Sequence, residues 1–212
     1  MSDVIAHNGA SKGASQPYAS LGAALGRRSI VLIGMMGAGK SSVGRRLAAR
    51  LGIPFVDGDV EIEKAAGMTI SEIFAAHGEP YFRAGETRVI ARLLEGGPQV
   101  LATGGGAFMN ADTRAAIRAK GISVWLRATL EVLNRRIKRR GDRPLLKSTD
   151  PSETLRRLLE ERDPVYAEAD LTVESRDVPH ETIVDEILEG LRGLIAPERA
   201  ADGPVAPGGT TP

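Results

Sequence analysis

Apolar and polar positions alternate between two periods along residues 28–196. Short apolar runs of strand type fall at 29–33 (SIVLI), 54–57 (PFVD), 100–103, 122–126 and 171–174. Helical spacing fills the gaps: about 40–51, 69–77, 80–94, 110–120, 130–139, a stretch opening at 150–151, and 179–191. Local signals mark several helix starts. Thr69 with Glu72 forms a T-x-x-E capping box, Asn110 suits an N-cap, and Asp150-Pro151 suits N-cap and N1. Strands alternating with helices predict a parallel sheet covered on both faces, a three-layer α/β domain. In such sheets ligands bind at the carboxyl ends of the strands.

Outside this body the pattern fades. Residues 1–27, rich in Gly, Ala and Ser, are expected to form an extended, disordered segment, and residues 197–212 a disordered Pro/Gly/Ala tail. The folded domain is therefore placed at 28–196. A length of 212 residues suits one domain with a substantial core. Lys and Arg number 28 against 27 Asp and Glu, a net charge of +1 that argues against a nucleic-acid-coating or membrane-surface protein. Cysteine is absent, which excludes disulfides and thiolate chemistry. No apolar run approaches the roughly 20 residues of a membrane span, and the first residues lack the pattern of a signal peptide. The expected location is the cytoplasm.

The strand-end positions carry the candidate chemistry. Residues 34–41, GMMGAGKS, match G-x-x-x-x-G-K-[ST] between a strand and a helix. Glycines there let successive N–H groups and a helix N-terminus face phosphates, Lys40 can reach the β- and γ-phosphates, and Ser41 can hold Mg²⁺. Asp57-Gly58-Asp59 follows the second strand. If the chain is still extended, the two acids point to one side, toward the phosphate loop; otherwise they are solvated turn residues, with Asp59 capping a helix over 60–66. Arg83 and Glu86 share a helix face at i, i+3. They form either a carboxylate grip with its supporting acid or a surface ion pair contributing little. Thr103 leads into Gly104-Gly105-Gly106, where a ligand can approach bare main chain; otherwise the glycines form a flexible strand-to-helix loop.

Residues 127–162 are strongly basic, but aromatic interleaving for base stacking is nearly absent. Most of these cations are expected on solvated helix faces. Arg143, in the loop GDRPLLKS, is placed to close over phosphates. Arg162, in RDPVY, precedes a proline expected to end its helix, so that its side chain reaches back into the cleft.

Taken together, GMMGAGKS, DGD, FRAGE, TGGGA, RPLL and RDPVY resemble the shikimate kinase family in order and spacing, within the nucleoside-monophosphate-kinase-like P-loop fold. The resemblance implies a five-stranded parallel sheet in order 2-3-1-4-5 and a mobile lid at about 140–150. It implies ATP as co-substrate and Mg²⁺ as cofactor, with shikimate as acceptor in aromatic amino acid (chorismate) biosynthesis. Lys40, Asp59 and Arg143 would be catalytic. Gly37, Ala38, Gly39, Lys40, Ser41, Ser42, Arg140, Arg143 and Pro179 would bind ATP. Asp59, Arg83, Glu86, Gly104, Gly105, Gly106 and Arg162 would bind shikimate, and Ser41 and Asp57 the metal. The expected protein is a monomer without nucleic-acid or membrane partners. The alternatives are a gluconate-type kinase of the same fold and a non-catalytic nucleotide-binding protein.

Overall fold

The computed structural model describes residues 18–138 and 151–195. Its centre is β1 (Ser29–Ile33), whose five residues are all buried, as an apolar run covered on both faces requires. Around it stand β2 (Phe55–Asp57), β3 (Val100–Ala102), β4 (Gly121–Arg127) and β5 (Leu171–Glu174), all parallel, in the order β2-β3-β1-β4-β5. The order matches the expectation. It also places a crossover between the ends of β1 and β3, and that crevice is where such sheets bind ligands.

Helices cover both faces. α1 (Ala19–Ala24) and α8 (His180–Ile195) pack on α2 (Lys40–Leu51), while α4 (Ile70–Glu95) packs on α5 (Ala111–Lys120). α2 buries Val43, Leu47 and Leu51 at intervals of four, and α8 buries Ile183, Ile187, Leu191 and Ile195 likewise. Each such side chain contributes about 1.5–3 kcal/mol by leaving water. Beside this core, α3 (Gly58–Ala66) and α4 form a small lobe around Ile62, Ile73, Phe82 and Val89, with the Phe74 and Phe82 rings 4.8 Å apart. α6 (Leu130–Lys138) and α7 (Pro151–Tyr166) pack together beyond β4.

Three local expectations change and one holds. The segment expected to be extended up to residue 27 is helical over α1, and Leu25 joins the core. Its pattern is too short to read as a helix, and packing on α2 and α8 supplies what propensity does not. The two helices expected at 69–77 and 80–94 are present within α4, separated by a non-helical Gly78 (φ 78°, ψ 175°) two residues before Pro80. The capping box at Thr69 is present, with Glu72 N donating to Thr69 Oγ1 at 3.2 Å and Thr69 N to Glu72 Oε2 at 2.7 Å. α7 continues through Pro164 to Tyr166 instead of stopping before the proline. α3 begins at Gly58, not at residue 60.

Candidate active site

A cleft of about 580 Å³ opens at the carboxyl ends of the strands, between the phosphate loop, the α3–α4 lobe and the start of α8. The loop after β1 turns tightly because Gly37 (φ 83°) and Gly39 (φ 93°) hold left-handed conformations that side chains resist. Gly39 caps α2, so the positive end of that helix faces the cleft. Lys40 opens α2 and folds back, its Nζ donating to Gly34 O at 2.7 Å and Met35 O at 3.0 Å. Gly37, Gly39, Lys40, Ser41 and Ser42 all line the cleft. Ala38 does not. It is buried behind the loop, where its carbonyl accepts from Ser175 Oγ at 2.7 Å.

Asp57 ends β2 and Asp59 lies in the first turn of α3. The chain is thus extended at Asp57 but already helical at Gly58, so the two acids do not share one side of a strand. They converge on the cleft across a strand-to-helix junction instead. Asp57 Oδ2 accepts from Ser41 Oγ at 2.9 Å. This pair offers hard oxygens beside the phosphate loop, a donor set that fits Mg²⁺, which takes one or two protein oxygens and completes its shell with phosphates and water. Among the described residues no cluster of three or more His, Cys, Asp or Glu forms a dedicated metal cage.

Arg83 Nη1 donates to Glu86 Oε2 at 2.7 Å, and its Nη2 to Glu79 Oε1 at 3.0 Å. Glu86 is only 2% exposed, so this is no surface ion pair. Its Oε1 has no hydrogen-bond partner among the described residues. Burial pushes the Glu86 carboxyl above its ordinary value, against the pull of Arg83, and Asp59 adds to the rise.

The glycine triplet explains how these groups fit around one space. A methyl group on Gly104 would stand 2.7 Å from Glu86 Oε1 and 3.0 Å from Asp59 Oδ1. One on Gly105 would lie 3.4 Å from Met36 N in the phosphate loop and 3.5 Å from Arg162 Nη1. One on Gly106 would meet Arg83 Cζ, Nη1 and Nη2 all at 2.7 Å, so the guanidinium lies flat against that glycine. Acids, phosphate loop and both arginines therefore crowd one stretch of bare backbone. Arg162 reaches it from within α7, not from a helix end, and donates to Gly105 O at 3.2 Å.

Pro179 is exposed just before α8 and is not a lining residue, although its neighbours Val178 and His180 are. Arg140 and Arg143, with the rest of the expected lid, lie outside the described residues. Arg136 was expected on a solvated helix face but lines the cleft. Its Nη1 donates to Ser175 Oγ at 2.8 Å and its Nη2 to Arg176 O at 2.7 Å. Its sequence signal is its place on α6, three residues after buried Leu133 and one before partly buried Ile137. Surrounding arginines hide that signal. Ser175 and Tyr166 are also buried against site backbone; Ser175 lies in no motif, and Tyr166 closes RDPVY without a role assigned to it there.

A family model described as shikimate kinase matches residues 36–192. A shikimate kinase of Bradyrhizobium diazoefficiens is 63% identical over 190 residues, covering 90% of this chain and 92% of that protein. The solved shikimate kinase from Acinetobacter baumannii, in complex with shikimate, superposes with a TM-score of 0.76 at 41% identity, over 79% of this chain and 94% of that one. A gluconokinase from Sinorhizobium meliloti is more distant, with a TM-score of 0.54 at 26% identity, over 80% of this chain and 94% of that one.

Proposed function

This chain belongs to the shikimate kinase family, and on that premise we propose that it transfers the γ-phosphoryl group of ATP to shikimate, giving ADP and shikimate 3-phosphate. The observation that carries the reading is the glycine triplet, with Asp59 and Glu86 at one end, the phosphate loop behind it, and Arg83 and Arg162 against Gly106 and Gly105. Two guanidinium groups suit a carboxylate, a carboxylate suits ring hydroxyls, and the phosphate loop lies within reach of both. A gluconate-type acceptor also carries a carboxylate, but the nearer relatives are shikimate kinases.

Phosphoryl transfer depends on positioning and charge neutralisation more than on covalent chemistry. In this reading Arg83 and Arg162 hold the acceptor carboxylate, and Glu86 holds Arg83. Asp59 orients the attacking hydroxyl. Lys40 leaves its loop carbonyls for the β- and γ-phosphates, whose oxygens face the N-terminus of α2. Ser41 and Asp57 hold Mg²⁺, which when bound neutralises phosphate charge. Arg136 faces the nucleotide, and Arg143 is retained as the lid arginine. The enzyme so proposed is a cytoplasmic monomer. Among the described residues no helix is long and apolar enough to cross a membrane.

A coupled ADP-release assay with shikimate beside gluconate, quinate and nucleoside monophosphates tests this directly. Turnover is expected with shikimate alone at micromolar enzyme. Equal or faster turnover with gluconate would overturn the acceptor assignment.

A further inference from the structure

The glycine triplet has no side chains of its own to hold its backbone in place. Something else must fix its peptide planes. The Gly105 carbonyl accepts two donors, the Tyr166 hydroxyl and Arg162 Nη1 at 3.2 Å. Both donors meet on that one carbonyl, so it ties the end of α7 to a site arginine. Tyr166 ends α7 and is fully buried, its ring 5.7 Å from that of Trp125 on β4. Burial raises the phenol to about 12, which keeps it a protonated donor at any working pH.

A trans peptide is planar, with its C=O and N–H directed oppositely. Fixing the Gly105 carbonyl toward Tyr166 and Arg162 therefore turns the Gly106 N–H to the other side, away from α7. The same restraint sets the height of Gly106 Cα, against which the Arg83 guanidinium lies flat. Without it, rotation of a Gly-Gly peptide would misplace an N–H donor and both arginines together.

We propose that Tyr166 is a positioning residue for the acceptor: its hydroxyl, through the Gly105 carbonyl that Arg162 shares, sets the peptide plane and the guanidinium groups that receive shikimate. This deepens the reading above and rests on the placement of shikimate at the triplet. Tyr166 does not itself line the cleft, and its hydroxyl bonds the Gly105 carbonyl on the acceptor side.

The test compares Tyr166→Phe, Trp125→Phe and Arg83→Gln by steady-state kinetics with each substrate varied, together with Tm. Phenylalanine keeps the ring and its packing on Trp125 and removes only the hydroxyl. The expected result for Tyr166→Phe is a rise of about five- to tenfold in shikimate KM, with ATP KM unchanged. Trp125→Phe disturbs the same packing but spares the hydroxyl, so it should lower Tm and leave shikimate KM alone. A rise in shikimate KM for Arg83→Gln without one for Tyr166→Phe would overturn the positioning role while leaving the site standing. No rise in either variant would overturn the site placement itself. Equal rises in both substrates' KM for Tyr166→Phe, or a matching rise for Trp125→Phe, would mean loosened packing and would also overturn the proposal.

Discussion

Gly106→Ala replaces one hydrogen with a methyl group at the point where the site is tightest. The backbone there (φ −99°, ψ −10°) suits alanine, so the substitution introduces no backbone strain. What it does introduce is a methyl group 2.7 Å from three atoms of the Arg83 guanidinium. To regain ordinary contact, the guanidinium must retreat by about 0.7 Å. That movement works against its bonds to Glu86 and Glu79 and withdraws it from the acceptor carboxylate. Losing one charge-assisted hydrogen bond costs about 1.5–3 kcal/mol, which converts to a roughly 10- to 150-fold higher shikimate KM. Stability should change little, because alanine lowers the entropy of the unfolded chain by about 0.4–1 kcal/mol and offsets part of the crowding. Initial rates by coupled ADP release, with each substrate varied at saturation of the other, measure the effect. An unchanged shikimate KM with Tm preserved would refute the placement of Arg83 against the acceptor.

Other outcomes follow from the same geometry. Lys40→Ala should lower kcat by about 100-fold or more, since Lys40 neutralises charge that develops during transfer; single-turnover rates would detect it, and an unimpaired rate would count against the phosphate-loop assignment. Asp59→Asn should reduce kcat severely while calorimetry still finds normal ADP binding, and near-normal turnover would remove Asp59 from the acceptor site. Ser175→Ala removes the bridge from Arg136 to the Ala38 carbonyl, so ATP KM should rise about five- to tenfold with shikimate KM unchanged. Glu86, whose carboxyl is raised by burial, binds its proton more tightly in the folded state. Its contribution to stability is therefore complete below pH 4.5 and is lost as pH rises through the raised value. Wild-type Tm should fall relative to Glu86→Gln over that rise, and a pH-independent difference would refute the assignment.

Much of this site was legible along the chain because its parts sit at strand ends, where short motifs mark them. GMMGAGKS needs glycines at positive φ beside a strand and a helix, and that demand is local. The alternation of apolar runs and helical spacing likewise carried the sheet, because β1 is buried on both faces and α2 and α8 on one. The kink at Gly78 was visible as two helical patterns separated by Gly and Pro. The passage of α7 through Pro164 was not, since tertiary packing of that helix overrides a local breaker.

What the sequence determined by itself is the set of chemical groups: a phosphate loop, paired acids, an Arg/Glu helix face and three consecutive glycines. Only the tertiary structure decided how they act on one another. Arg83–Glu86 spacing is the same on a solvated helix as on this one, and burial of Glu86 separates this pair from a surface one. Arg136 differs from its basic neighbours only in facing the phosphate loop, and Ser175 and Tyr166 only in the carbonyls they meet. Those partners are distant in sequence, with Tyr166 and Gly105 61 residues apart and Ser175 and Ala38 137 apart. A local pattern records the residue type and the backbone period, whereas a hydrogen bond across such a span exists only once the sheet has brought its strand ends together.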